Sequence, residues 1–338
     1  MELIERAYRL PAIFRSIWKW LRREQSQDSL LLQLPLELVY LVAEFLTPVD
    51  LALLSQTCRS LQAALKGYSN ASHLCRTEYL TYLAGLARGL PEKWVCEGCM
   101  TLHPIVRFDT PGSKYHKSYC PLKSVTSLRY GPPHYKIPDD DRLRCKQIPI
   151  GHRHVQLALK YTRLKCPEYK SYLQALIAPH HDMQFKPSRE TLLKTHYSAY
   201  PRIVAGDDGN LRFLLLSTWR YYKGRKDILL HELGYQMICP HLRLNCGPCV
   251  LESATEKALK ARGNGRERTG ACPRCATDFS VQLTSGYLSL RVWQDFGSEG
   301  SPVDLAWKSQ CAFYNSDSGL NCRYIKPTLY HKPGSIKK

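Results

Sequence analysis

Leu34-Pro35-Leu36-Glu37-Leu38-Val39-Tyr40-Leu41-Val42-Ala43-Glu44-Phe45-Leu46 opens the stretch on which the reading of this 338-residue chain turns. Pro35 and Glu37 suit a first helical turn, where a missing N–H costs nothing and an acidic side chain faces the positive end of the helix dipole. Leu38, Leu41, Val42 and Phe45 then recur at i, i+3, i+4 and i+7, the period of one helical face. Thr47-Pro48-Val49 breaks the pattern. A second helix is expected from Asp50, a residue suited to the N-cap, with Leu51, Leu54, Cys58, Leu61 and Leu65 as its face. Two short helices over 35–66 expose more apolar stripe than so small a core consumes, so the unit calls for a neighbour or partner.

The flanks are different in kind. Over residues 1–24, Leu10, Ile13, Phe14, Ile17, Trp18 and Leu21 form one stripe, with Arg9, Arg15, Lys19, Arg22 and Arg23 mostly off it; this predicts a basic amphipathic helix. Gln25-Ser26-Gln27-Asp28-Ser29 reads as a linker. A further helix is expected over about 70–88, from the cap candidates Asn70 and Ser72 to Gly89-Leu90-Pro91, so residues 30–90 make an all-α front.

Beyond Pro91 the composition changes. Residues 91–130 carry a first Cys/His cluster and a connector, and Gly131 to Pro138 read as a loop. Alternation of Val155, Leu157, Leu159 and Tyr161 with His154, Gln156, Ala158 and Lys160 predicts a strand over 154–161. Further strands are expected at Pro201–Ala205, across Leu211, Phe213 and Leu215, at Phe279–Leu283 and at Tyr287–Trp293, with helices at Tyr169–Ile177 and Ser253–Ala261. The expected class is α+β: a helical N-terminal region, then residues 131–330 built on a mixed or antiparallel sheet with zinc-knuckle-like cysteine loops. No internal repeat is visible, which excludes a propeller or leucine-rich platform.

No stretch reaches the ~20 apolar residues of a membrane span, and Arg6, Arg9 and Arg15 interrupt any secretory apolar region. The expectation is a soluble protein of the cytoplasm or nucleus. In that reducing setting the 14 cysteines suit a metal better than disulfides. Cys246-Gly-Pro-Cys249 and Cys272-Pro-Arg-Cys275 are two C-x-x-C knuckles able to offer four thiolates to structural zinc, with Cys239 and His241 just upstream as further ligand candidates. Cys96-Glu-Gly-Cys99, with His103, His116 and Cys120, is a second cluster. Chemistry of other kinds finds little support: there is no Gly-rich phosphate loop, H-E-x-x-H or G-x-S-x-G motif, so no catalytic residue is assigned. The net charge of +19 leaves open a zinc-stabilised nucleic-acid-binding protein, although neither cluster has C2H2 spacing or a basic recognition helix.

Leu34, Pro35, Glu37 and Leu38, then Phe45 and Leu46, then Asp50, Leu51 and Leu54, then Cys58 and Arg59, resemble the F-box of ubiquitin-ligase adaptors. The one departure is Ser60-Leu61, where the family often carries Trp. The resemblance implies that these residues, with Leu41, dock on a Skp-type linker protein and through it on a cullin scaffold. The chain is then a non-catalytic adaptor that recruits a protein substrate through its C-terminal domain. The run from Leu90 to Pro104, Cys239-Pro-His241-Leu242, residues 272–279 and Val292 to Gly297 followed by Ser301-Pro302 are similar to cysteine-rich F-box proteins of filamentous fungi. That similarity favours Cys239, His241, Cys272 and Cys275 as one zinc set; spacing alone favours Cys246, Cys249, Cys272 and Cys275. The first set is slightly preferred, since Gly247-Pro248 is also explained as a turn.

Overall fold

A computed structural model describes residues 30–67, 73–111, 120, 147–148, 150–185, 193–222, 224, 227–234, 236–245, 248–261, 265–311, 329 and 331–336. The basic helix expected over 1–24, the cap candidates Asn70 and Ser72, and the ligand candidates His116 and Cys246 lie outside these residues. The chain divides into two units, Met1–Glu78 and Tyr79–Lys338.

In the first unit, helices α1 (Leu30–Gln33), α2 (Leu36–Glu44), α3 (Pro48–Ser55) and α4 (Arg59–Ala64) follow in quick succession. The second helix starts earlier than expected. Thr47, not Asp50, is its N-cap: Thr47 Oγ1 accepts from the Asp50 N–H at 3.2 Å, and Pro48 occupies the first helical position, which needs no N–H. It also ends earlier, because Cys58 is extended (φ −154°) and its sulfur caps α4 by accepting from the Leu61 N–H at 3.5 Å. The expected pair over 35–66 is therefore three helices. Val39, Ala43, Leu51, Leu61 and Leu65 form their buried core, with Leu31, Leu46, Leu54 and Cys58 packed around it. Helix α5 (Arg76–Arg88) carries the unit boundary. Its first turn is held by the Glu78 carboxylate, which accepts from the Cys75 N–H at 2.8 Å.

The second unit is built on a six-stranded sheet. Its strands are β3 (His180–Phe185), β4 (Thr195–Ala205), β5 (Leu211–Tyr222), β8 (Arg268–Ala271), β9 (Thr277–Leu283) and β10 (Tyr287–Ser298), in spatial order β3-β4-β5-β10-β9-β8. Every neighbouring pair is antiparallel. Two small hairpins, β1 (Lys93–Cys96) with β2 (Thr101–Pro104) and β6 (Met237–Cys239) with β7 (Leu242–Arg243), complete the strands. The 3-10 turn Pro167–Tyr169 leads into α7 (Lys170–Leu176), and α8 (Val250–Lys260) follows β7. After β10 comes the short helix α9 (Leu305–Ser309). Gly297 (φ +90°) sits in the bulge at the end of β10, and a Cβ there would come within 2.6 Å of Ala306 Cβ, so only glycine lets α9 pack so closely.

Residues 154–161 are not a strand. They lie in α6 (His152–Leu164), whose polar residues Arg153, Gln156, Lys160 and Arg163 recur at helical spacing; the eight-residue window 154–161 is too short to separate that period from an alternation. The polar residues that made the sequence alternate are buried and bonded: Gln156 Oε1 accepts from the Val95 N–H at 3.1 Å, and Lys160 Nζ donates to the carbonyls of Leu90 (3.1 Å) and Lys93 (2.6 Å). Burial pulls the Lys160 ammonium down to about 8. Lys160 thereby fastens the loop between α5 and β1 to α6. At the other end of α6, Asp109 accepts from Arg153 Nη2 at 2.8 Å and His154 Nε2 at 3.2 Å. Burial by itself raises that carboxyl, but these hydrogen bonds and charges outweigh it and hold it well below the usual range.

Candidate docking face and metal centres

Helix α2 divides its apolar residues between two faces. Val39 and Ala43 point into the core of the first unit, while Leu38, Leu41, Val42 and Phe45 point out. Phe45 is 83% exposed and Leu41 50%. Leu34 and Leu36 are exposed alongside them, and Pro35, Glu37, Asp50 and Arg59 are exposed polar or flanking positions. An aromatic ring left this open on an otherwise folded unit forms part of an apolar surface suited to a partner. Leu46, Leu51, Leu54 and Cys58, from the same set of expected docking residues, instead serve the unit's own core. The Ser60-Leu61 departure has a structural role too: Leu61 is 5% exposed and fills that core.

Two metal-ligand groups form in the second unit. In the β1–β2 hairpin, Cys96 closes β1, Met100 turns through the left-handed region (φ 54°), and His103 lies on β2, so that Cys96, Cys99 and His103 converge. Cys120 joins them; one ligand atom from each of the four lies within 4.8 Å of the others. Cys99 Sγ is 2.9 Å from His103 Nε2. Burial pushes the Cys96 thiol up to about 12.

The second group is Cys239, His241, Cys272 and Cys275, again within 4.8 Å of one another. Cys239 and His241 come from the β6–β7 turn; Cys272 and Cys275 flank the turn between β8 and β9. Cys272 Sγ lies 3.6 Å from His241 Nδ1 and accepts from the Arg274 N–H at 3.4 Å. Burial raises the Cys239 thiol, whereas the bonds from Cys239 and Cys275 lower that of Cys272. Cys249 stands apart from this group. Its sulfur donates to the Arg243 carbonyl at 3.3 Å and caps α8 by accepting from the Glu252 N–H at 3.4 Å. Among the described residues, then, the family-based set is the one that meets; Cys249 of the spacing-based set caps α8 instead, and Cys246 lies outside the described residues.

Both groups fit a closed tetrahedral ion. A centre with ~2.3 Å metal–sulfur bonds has edges of roughly 3.8 Å, and three thiolates with one imidazole is a structural donor set. Other residues that shape these centres had no signal in the sequence. Glu97, inside the first knuckle, pairs with Lys308 of α9; Gln310, just past α9, donates to the Ala276 carbonyl at 2.8 Å beside the second knuckle. Each is a single polar residue far along the chain from its partner. Among the described residues, no helix is long and apolar enough to cross a membrane.

The family model of the F-box domain matches residues 31–73, the segment that carries the exposed face of α2. No curated protein and no solved structure matches the chain. The antiparallel second unit with its two Cys/His groups therefore stands behind a segment of defined type: residues 31–73 of this chain are an F-box domain.

Proposed function

We propose that the protein is a non-catalytic substrate adaptor of a Skp–cullin–F-box ubiquitin ligase, acting in the cytoplasm or nucleus. Its F-box domain docks on a Skp-type linker, and its second unit recruits a protein substrate. The observation that carries this reading is the outward stripe Leu38, Leu41, Val42 and Phe45, with Phe45 83% exposed, within the matched segment. Leu34 and Leu36 extend the stripe, while Leu46, Leu51, Leu54 and Cys58 support it from inside. The test is co-purification with a Skp-type linker. Leu41→Asp with Phe45→Asp places two charges on the face without touching the core, so linker retention should drop at least tenfold while the circular dichroism stays native. Undiminished retention would refute the adaptor reading; salt-sensitive retention on DNA in its place would favour the nucleic-acid alternative.

We infer also that each four-residue group holds one structural zinc. Three thiolates and an imidazole that are buried or half-buried leave no open position for a substrate, and the β1–β2 and β6–β7 hairpins, which carry part of each group, are too short to hold their own shape. Elemental analysis of the purified chain should find two zinc ions per molecule, falling to one in Cys272→Ser with Cys275→Ser. A chain purified without zinc would overturn this assignment.

A further inference from the structure

We propose that the two zinc centres are energetically coupled through α9, so that filling one tightens the other. This rests on the zinc reading above. Helix α9 and the residue after it reach both knuckles. Lys308 pairs with Glu97, which lies between the ligands Cys96 and Cys99. Two positions on, Gln310 Nε2 donates to the Ala276 carbonyl at 2.8 Å and lies 3.2 Å from Thr277 Oγ1. Thr277 Oγ1 is in turn 3.2 Å from the sulfur of the ligand Cys275, and the Thr277 carbonyl accepts from the Cys272 N–H at 2.8 Å. One short chain of contacts thus runs from the first set of ligands to the second.

The connection is stiff where it needs to be. Trp307, 3% exposed, anchors α9 in the core, with its ring 5.2 Å from that of His152 and 5.8 Å from that of Phe296. The Gln294 amide holds Gln310 from a further side, Nε2 to Oε1 at 3.0 Å. The Glu97 and Lys308 side chains are 15% and 16% exposed, so their attraction is only weakly screened. An ion on Cys96 and Cys99 fixes the knuckle that presents Glu97, which fixes Lys308 and the end of α9, which aligns Gln310 on the second knuckle. Emptying the first centre frees Glu97 to move, and the support of Ala276 and Thr277 loosens with it. Coupling between sites of this kind is commonly 5- to 150-fold, and a path of two side-chain contacts belongs near the lower end, about tenfold.

The experiment follows the second centre alone, through protection of Cys272 and Cys275 from alkylation, mapped by mass spectrometry while a zinc chelator is titrated into the full chain. Cys96→Ser with Cys99→Ser empties the first centre and should lower the chelator concentration that exposes Cys272 and Cys275 by about tenfold. Glu97→Gln and Lys308→Met keep all eight ligands; each should give a several-fold shift, and neither should add to the shift of the cysteine variant. If all three variants leave the midpoint at the wild-type value, the centres are independent and the proposal is wrong. Should the cysteine variant unfold, the two milder variants decide alone. If zinc gives Cys272 and Cys275 no protection in the wild type, the zinc reading itself fails, a result distinct from an unshifted midpoint.

Discussion

His152 shows what one buried side chain does to the stability of the second unit. It opens α6 at 9% exposure, with its ring edge-on to Trp307. Burial, helped by the Lys308 charge, pulls its imidazole down from 6.5 to about 3. Between those values the unfolded chain holds a proton that the folded chain refuses. Its contribution is therefore intact above pH 6.5 and is lost as pH falls toward 3, by about 1.4 kcal/mol per pH unit. Denaturant unfolding should show about 2 kcal/mol less stability at pH 5 than at pH 6.5 from this group. His152→Phe, which keeps a ring against Trp307, should flatten the profile by that amount; an equal slope in both proteins would place the acid sensitivity elsewhere. Single residues of this sort were not legible beforehand. Cys96, Cys99, Cys272 and Cys275 announce themselves by pairing, whereas His152, Glu97, Lys308 and Gln310 gain a role only from what folds against them.

Among the secondary-structure elements, α2 and α6 teach opposite lessons. Helix α2 is apolar on both faces: the stripe Leu38, Leu41, Val42 and Phe45 that marks its period points out, Val39 and Ala43 point in, and only the F-box resemblance told the stripe's purpose. Helix α6 buries its polar face, with Gln156 and Lys160 enclosed beside Leu157 and Leu159; its helical period runs through Arg153, Gln156, Lys160 and Arg163, and the window 154–161 was too short to show it against the two-residue alternation. The short strands β1, β2, β6 and β7 were missed because hairpins of two to four residues carry too few positions for any period. The dry and wet sides of the F-box domain also differ energetically. Leu65, fully buried at the centre of its core, should cost the first unit about 2–5 kcal/mol as Leu65→Ala, by lost transfer energy and the cavity left behind. Phe45→Ala should leave its thermal midpoint nearly unchanged and weaken only the proposed binding to a Skp-type linker. Comparable melting losses for both would show that Phe45 is covered in the folded chain.

The two units distribute their stabilising forces differently, and this makes docking and metal separable. The first unit rests on Leu and Val packing, with Cys58 half-buried, and among the described residues both metal-ligand groups lie in the second unit. Stripping zinc with a chelator should therefore lower the melting temperature of the second unit, since metal binding in such sites is folding free energy, while co-purification with the linker persists. Loss of linker binding on chelation would mean that the F-box domain depends on the second unit for its fold. What the sequence determined by itself was the F-box segment, the α+β class, the β4, β5, β9 and β10 strands and the cysteine pairs, because each is written in spacing along the chain. Among the described residues, the tertiary structure decided which four Cys and His side chains meet, since the docking of two separate turns brings Cys239 and His241 to Cys272 and Cys275 while Cys249 caps α8. It also decided that α9 reaches both knuckles. Those are facts about distance in space between residues tens to hundreds of positions apart, and no local period or propensity encodes them.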